Sequence, residues 1–213
     1  WRSFTHENPM TDLSFEDFQR LPKTDLHVHL DGSLRIPTIL ELAEQQKVEL
    51  PGDSVDTLRP FVQAGEECKS LVDYLKAFDV TLSVMQTYDS LVRTAFELAE
   101  DAALENVRYL EVRYSPILHQ QKGLPLHHIV QAVLEGLEEA RRRYPIQTGV
   151  LVCGMRHVDP ESSLKLADLT VAFKNKGVVG YDLAGAEANF PARHHKEAFE
   201  RVRANNMSCT LHA

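Results

Sequence analysis

The sequence predicts an α/β protein whose short strands, separated by helices, feed one parallel sheet. Three observations carry that reading. From residue 23 onward, short β-branched runs alternate with longer stretches of helical periodicity, the pattern of repeated β/α units. The helical stretches open on proline or aspartate, as helix starts do. The first run carries a row of polar side chains that only a barrel interior or a binding site would accommodate.

The strand candidates are "KTDLHVHL" (23–30), "VRYLEVRYS" (107–115), "TGVLVCGMR" (148–156), "VVGYDLAG" (178–185) and "MSCTLHA" (207–213). In "IPTILELAEQQ" (36–46), Pro37 suits the first helical turn, where its absent N–H would have no partner, and Leu40 and Ala43 or Glu44 continue the helix. "LHHIVQAVLEGLEEARRR" (126–143) carries the stripe Val130, Val133 or Leu134, Leu137 and Ala140. It ends on Arg141, Arg142 and Arg143, where the helix dipole favours positive charge, so this basic run reads as a solvated helix end rather than a phosphate or nucleic-acid patch. In "DPESSLKLADLTVAF" (159–173), Asp159 is the expected N-cap and Pro160 the first helical residue, with Leu164, Ala167 and Val171 at helical spacing. Residues 50–106 hold no clear strand and read as several helices, including 70–85 and 89–106, inserted after the first strand. An insertion there lies near the C-terminal end of the strand, where a β/α barrel keeps its chemistry; it reads equally as a lid or as extra packing on the wall. Residues 1–20 read as an extension and first helix, and 21–213 as part of a single barrel domain. Met10 is a candidate native start.

The 213 residues, 43% of them apolar, suffice for one domain with its own core. A formal net charge of −8 gives no pull towards nucleic acid or an anionic membrane, and neither is expected as a partner. Cys68, Cys153 and Cys209 are odd in number, widely spaced and never in a C-x-x-C pair, which fits neither a disulfide framework nor a cysteine zinc cage and favours a reducing cytoplasm. No apolar run approaches the ~20 residues that span a bilayer, and "WRSFTHENPM" lacks the apolar core of a signal peptide.

"TDLHVHLDG" (24–32) is an unusual strand. Side chains at i and i+2 share a face, so Asp25, His27 and His29 are expected on one side and Leu26, Val28 and Leu30 on the other, against the helices. Polar groups facing the barrel interior need partners. Two imidazoles near the end of one strand can converge on a metal ion, and nitrogen ligands suit zinc at ~2.0–2.1 Å; hydrogen-bonded core histidines are the alternative. Asp31 and Gly32 directly after the pair favour the metal, because the glycine permits a sharp exit and the aspartate sets a carboxylate at the mouth of the strand. On the second strand Glu111 and Arg113 share a face opposite Leu110, Val112 and Tyr114, and an interior ion pair or polar network is expected. Arg156 and His157 fall just past the third strand, His157 as a pocket wall or as a satisfied structural histidine. His194 and His195 read as surface residues at a helix start.

"LPKTDLHVHLDGSLRIPTILELA" (21–43), followed in order by "EVRYSP" (111–116), "CGMRH" (153–157), "VVGYDLAGAE" (178–187) and "TLHA" (210–213), strongly resembles the adenosine deaminase family of metal-dependent β/α-barrel purine deaminases. Five motifs in order are far more specific than H-x-H alone. The resemblance implies a TIM-type (β/α)8 barrel, of which this chain supplies about the first five strands and the helical insertion after strand 1. It implies one Zn2+ per complete site, with His27, His29 and His212 as ligands. Asp31 matches the carboxylate that binds the ribose hydroxyl, His29 also touches substrate, and Gly185 matches a glycine whose backbone contacts the purine. The family's "DLAGDE" reads "DLAGAE" here, Ala186 replacing the acidic residue.

The resemblance also says what to expect beyond Ala213: the proton-transferring glutamate, a further histidine and a pair of aspartates. No catalytic residue of that set is therefore expected within these residues, and a complementary C-terminal segment completing the barrel is an expected partner beside the purine nucleoside. The implied reaction of the complete enzyme is hydrolytic deamination of adenosine, and of 2′-deoxyadenosine, to inosine and ammonia in purine salvage. Asp31 favours a free ribose hydroxyl, since a carboxylate would repel a 5′-phosphate and lack a partner with a bare base. Rival readings are a deaminase of adenine or of a modified adenosine monophosphate, another zinc amidohydrolase, and a non-catalytic fragment.

Overall fold

The computed structural model describes residues 14–63 and 71–212; Cys68 and Ala213 lie outside them. Five parallel strands stand side by side in sequence order: β1 (Lys23–His29), β2 (Val107–Tyr114), β3 (Gln147–Met155), β4 (Val178–Ala184) and β5 (Ser208–Cys209). With their flanking helices they form the amino-terminal part of a β/α barrel, as the alternation of runs predicts. The fifth strand is shorter than expected. Only two residues pair as a ladder, yet the chain continues beside β4, with Thr210 N–H donating to Tyr181 O (2.9 Å) and His212 N–H to Leu183 O (3.2 Å).

The helices are α1 (Phe15–Arg20), α2 (Ile36–Gln46), α3 (Val55–Val62), α4 (Leu71–Val84), α5 (Tyr88–Leu104), α6 (Leu126–Arg143), α7 (Pro160–Ala172) and α8 (Lys196–Ala204). Their starts follow local chemistry: Asp159 accepts from Ser162 N–H at 2.8 Å to cap α7, and Ser54 and Thr87 form capping boxes on α3 and α5. On α6 the expected stripe is buried, with Val130, Val133, Leu137 and Ala140 joined by Ile129, Ala132 and Gly136. These meet α5 and the strand residues Val112, Val150 and Val152 in one continuous core. Arg141, Arg142 and Arg143 pair with Glu138 and Glu139 at the solvated end of α6. Among the described residues no helix is long and apolar enough to cross a membrane.

The stretch read as an insertion holds three helices among the described residues, of which α3 packs on α2 and α4. α5 is the crossover helix that packs on α6 and leads into β2, whereas α4 reaches the mouth of the sheet, where Phe78, Asp79 and Leu82 line a cavity.

Strict alternation does not hold along β1. Asp25 pairs opposite Leu110 and Val28 opposite Val112, so three steps on β1 match two on β2 and a bulge falls between them. The bulge takes Asp25 out of the histidine row: its Oδ1 accepts from the backbone N–H of His27 (3.0 Å) instead. Leu26, expected against the helices, is 53% exposed on this edge strand.

Candidate functional site

β1 and β5 lie at opposite ends of the strand order, yet the sheet curls enough to bring their termini together. His27 Nε2 is 2.9 Å and His29 Nε2 3.1 Å from His212 Nε2. A neutral imidazole nitrogen offers one proton or one lone pair, so His212 Nε2 cannot bond both neighbours well. A cation resolves the conflict. Two nitrogens bound at ~2.0–2.1 Å to a tetrahedral zinc stand about 3.3 Å apart, close to the spacing seen here. Burial, then the neighbouring imidazoles, hold His29 down to about 4, and burial with Arg113 and His212 lowers His27 as well. Both rings therefore keep free lone pairs at neutral pH, as metal ligands must. Among the described residues these three are the cluster of histidine, cysteine and carboxylate donors suited to a metal ion.

Behind His212 stands Asp182, a residue the sequence reading missed. Its Oδ2 lies 2.8 Å from His212 Nδ1, out of line for a straight hydrogen bond, and accepts from Arg113 Nη1 at 2.8 Å; its Oδ1 accepts from Leu183 N–H at 2.8 Å. Burial pushes the Asp182 carboxyl up, but the His212 contact, the Leu183 N–H and Arg113 outweigh it and hold it at about 2. A carboxylate behind a ligand histidine fixes the ring and raises its basicity. The signal was available in principle: an aspartate in the middle of the otherwise apolar strand "VVGYDLA" must face something polar.

The interior polar network expected around Glu111 and Arg113 exists, with different partners. Arg113 spans the sheet from Asp182 on β4 to the carbonyl of Leu26 on β1 (2.6 Å), while Glu111 accepts from the Tyr109 hydroxyl (2.9 Å).

Asp31 sits in a 3-10 turn, Leu30–Gly32, at the exit from β1. It is buried, and its Oδ1 has no hydrogen-bond partner. Burial pushes its carboxyl up to about 7. Thr81 on α4 fixes the turn by donating to the Asp31 carbonyl (2.6 Å). Gly185, just past β4, adopts φ +96°, a conformation that suits glycine, and an added Cβ would come within 3.3 Å of His157 Nδ1.

These groups line one cavity of about 680 Å³ at the C-terminal ends of the strands. The histidine triad and Asp31 form its polar side; Phe78 and Leu82 from α4, Met155 and Phe190 supply apolar wall, and Arg156, His157, Gly185 and Ala186 lie at the rim. His157 takes the pocket-wall place, its ring 6.3 Å from that of Phe190. His194 is exposed as expected, but His195 is not a surface residue: it is buried, with Nδ1 2.7 Å from Ser163 Oγ and Nε2 3.1 Å from the Arg156 carbonyl. Its place at a helix start misled, because the turn before α8 faces inward over α7. Another buried histidine, His119, drew no notice in the sequence; it bonds the Met85 carbonyl (3.0 Å) beneath Tyr114.

The family model described as adenosine deaminase matches residues 22–213. The chain belongs to the adenosine deaminase family. It is 45% identical over 209 residues to an adenosine deaminase of Mycolicibacterium vanbaalenii, covering 95% of this chain and 57% of that protein. It is 43% identical over 202 residues to a probable adenosine deaminase of Dictyostelium discoideum, covering 95% of this chain and 26% of that one. Among solved structures, an amidohydrolase from Burkholderia ambifaria with bound Zn superposes with a TM-score of 0.82 at 25% identity, over 97% of this chain and 56% of that one. The chain thus spans from about a quarter to under three fifths of the length of these family members.

Proposed function

We propose that the complete protein is a zinc-dependent hydrolase that deaminates adenosine, and 2′-deoxyadenosine, to inosine and ammonia. The observation that carries this reading is the meeting of three imidazoles from β1 and the end of the sheet beside a buried carboxyl, Asp31, whose Oδ1 has no hydrogen-bond partner and lies 3.9 Å from His29 Nδ1. His27, His29 and His212 would hold the ion. When bound there, zinc supplies acidification of a water molecule, so that a nucleophile for the purine C6 exists near neutral pH. Asp182, 2.8 Å behind His212 Nδ1, would steady the ring electrostatically and raise its basicity as a ligand. Asp31 would receive a ribose hydroxyl, which supplies the missing hydrogen bond and fixes the nucleoside's register. The Gly185 backbone, with His157 and Phe190 nearby, would face the purine ring. The cavity suits such a ligand, since small-molecule sites run ~300–1,000 Å³.

The deciding experiment takes the complete gene product, purified without chelator, and follows absorbance with adenosine, adenine or adenosine monophosphate while zinc is measured on the same sample. Conversion of adenosine in preference to the other two, with about one zinc per chain as a single-metal site requires, is the expected result. Turnover of adenine or the nucleotide alone would remove the Asp31 ribose assignment. His27→Ala, His29→Ala and His212→Ala should each lose zinc and activity together. Asp31→Ala should keep zinc and lower kcat/KM for adenosine by about 10- to 200-fold, the worth of one hydrogen bond to a charged group; unchanged kinetics would count against its role.

A further inference from the structure

Arg156 leaves β3 at the rim of the cavity with its side chain buried, 4% exposed overall. Its Nη2 donates to the main-chain carbonyl of His212 and its Nη1 to that of Phe190 (3.3 Å), while the Glu187 carboxylate lies 3.6 Å from Nη2. One guanidinium therefore grips both the segment that carries His212 and the loop that follows β4. The arginine is itself held from two sides. Its N–H donates to the Ala184 carbonyl (2.9 Å), and its own carbonyl meets His195 Nε2, which is anchored in turn on Ser163 of α7.

His212 has few other restraints. It follows a two-residue strand, and apart from the Asp182 contact and the two imidazoles it meets, its described tie to the sheet is one backbone bond to Leu183. An imidazole that must meet two others within about half an ångström needs its main chain fixed. A forked donor suits this task, because a planar guanidinium reaches two carbonyls at once in a fixed geometry.

We infer that Arg156 is a positioning residue that clamps the His212 main chain to the 185–191 loop, so that one side chain sets both the metal affinity and the placement of the loop beside Gly185. This rests on the reading of His27, His29 and His212 as metal ligands. His195 and Ser163 form the outer end of the same support, which accounts for a buried histidine that is not one of the three clustered imidazoles.

The test uses the complete protein with Arg156→Met, close in volume, and Arg156→Lys. Zinc affinity is measured by competition with a chromophoric chelator, the visible spectrum is recorded after Co2+ substitution, and thermal melts of the metal-free proteins check folding. Arg156→Met should bind zinc about 10- to 100-fold more weakly, the usual cost of removing an outer support, with an altered cobalt spectrum. Arg156→Lys should recover only part of both, since one ammonium cannot reproduce the fork. If the methionine variant does not fold, the lysine variant decides alone: wild-type zinc affinity with a wild-type cobalt spectrum overturns the inference. Wild-type protein that binds neither zinc nor cobalt would instead remove the metal reading on which the inference stands.

Discussion

Asp182 is buried to 0% exposure and ionised, so every contact it makes matters. Asp182→Asn leaves Arg113 buried without a countercharge and should destabilise the protein by about 3–5 kcal/mol, the cost of breaking a buried pair from one side; urea unfolding measures it, and a loss below ~1 kcal/mol would show the pair to be well solvated. His119 gives the pH prediction. Burial holds its imidazole down to about 4, against the Met85 hydrogen bond that raises it. Its folded value lies below its unfolded one, so the unfolded chain takes up the extra proton between about pH 6.5 and 4. Stability is therefore lost as pH falls through that window, by about 3 kcal/mol in all. His119→Gln should flatten this slope in urea unfolding between pH 4 and 7, and an unchanged slope would mean that His119 titrates in contact with water. The legible residues were those whose sequence neighbours gave them away: His27 and His29 share a strand with Asp31 at its exit. Asp182, Arg113 and His195 find their partners 69, 69 and 32 residues away, and no local pattern announces such pairs.

Elements were easier to read than contacts, because periodicity reports burial directly. The stripe on α6 and the N-cap of α7 fall where the sequence places them, and four of the five strand runs become full strands while the fifth pairs over two residues; on α7 the buried side is Ser163, Leu166, Ala167 and Thr170, so of Leu164, Ala167 and Val171 only Ala167 is buried. The β1 bulge was not legible, since strict alternation assumes a uniform register that the pairing with β2 breaks. Gly136 shows a further limit: helical periodicity does not reveal that this glycine is a contact between helices. A Cβ there would lie 2.1 Å from the Val92 carbonyl and 3.0 Å from Ala95 Cβ, so α5 and α6 approach each other through this hydrogen-only surface. Gly136→Ala would gain ~1 kcal/mol in helix propensity, but forcing the helices apart costs more. Overpacking costs about 1–3 kcal/mol, and a Cβ at 2.1 Å from a backbone oxygen belongs at the upper end, so a net destabilisation of up to about 2 kcal/mol is expected. Thermal melts decide the sign, and a stabilised variant would show that the two helices can separate freely.

At the scale of the whole molecule, the metal site joins distant parts of the chain. His27 and His29 sit on the first strand, His212 just past the last, 183 to 185 residues later, and Arg113 with Asp182 crosses the sheet between them. An ion held by all three would tie β1 to the segment after β5 across the mouth of the strands. The ligands are scattered in the unfolded chain, so binding favours the folded state. At a free zinc concentration 100 times Kd the stabilisation is about 2.7 kcal/mol. In a domain of roughly 150–250 residues that corresponds to a rise in Tm of about 5–10 °C, and in a longer one to less. Calorimetry with and without chelator should show that rise, and hydrogen exchange should slow at β1 and at Thr210–His212 together, the two ends being coupled through one ion. His212→Ala should abolish the increment while His27 and His29 remain on their strand. An increment that survives His212→Ala would mean the ion sits on β1 alone, and the two ends of the sheet would then be held together by Arg113, Asp182 and packing without it.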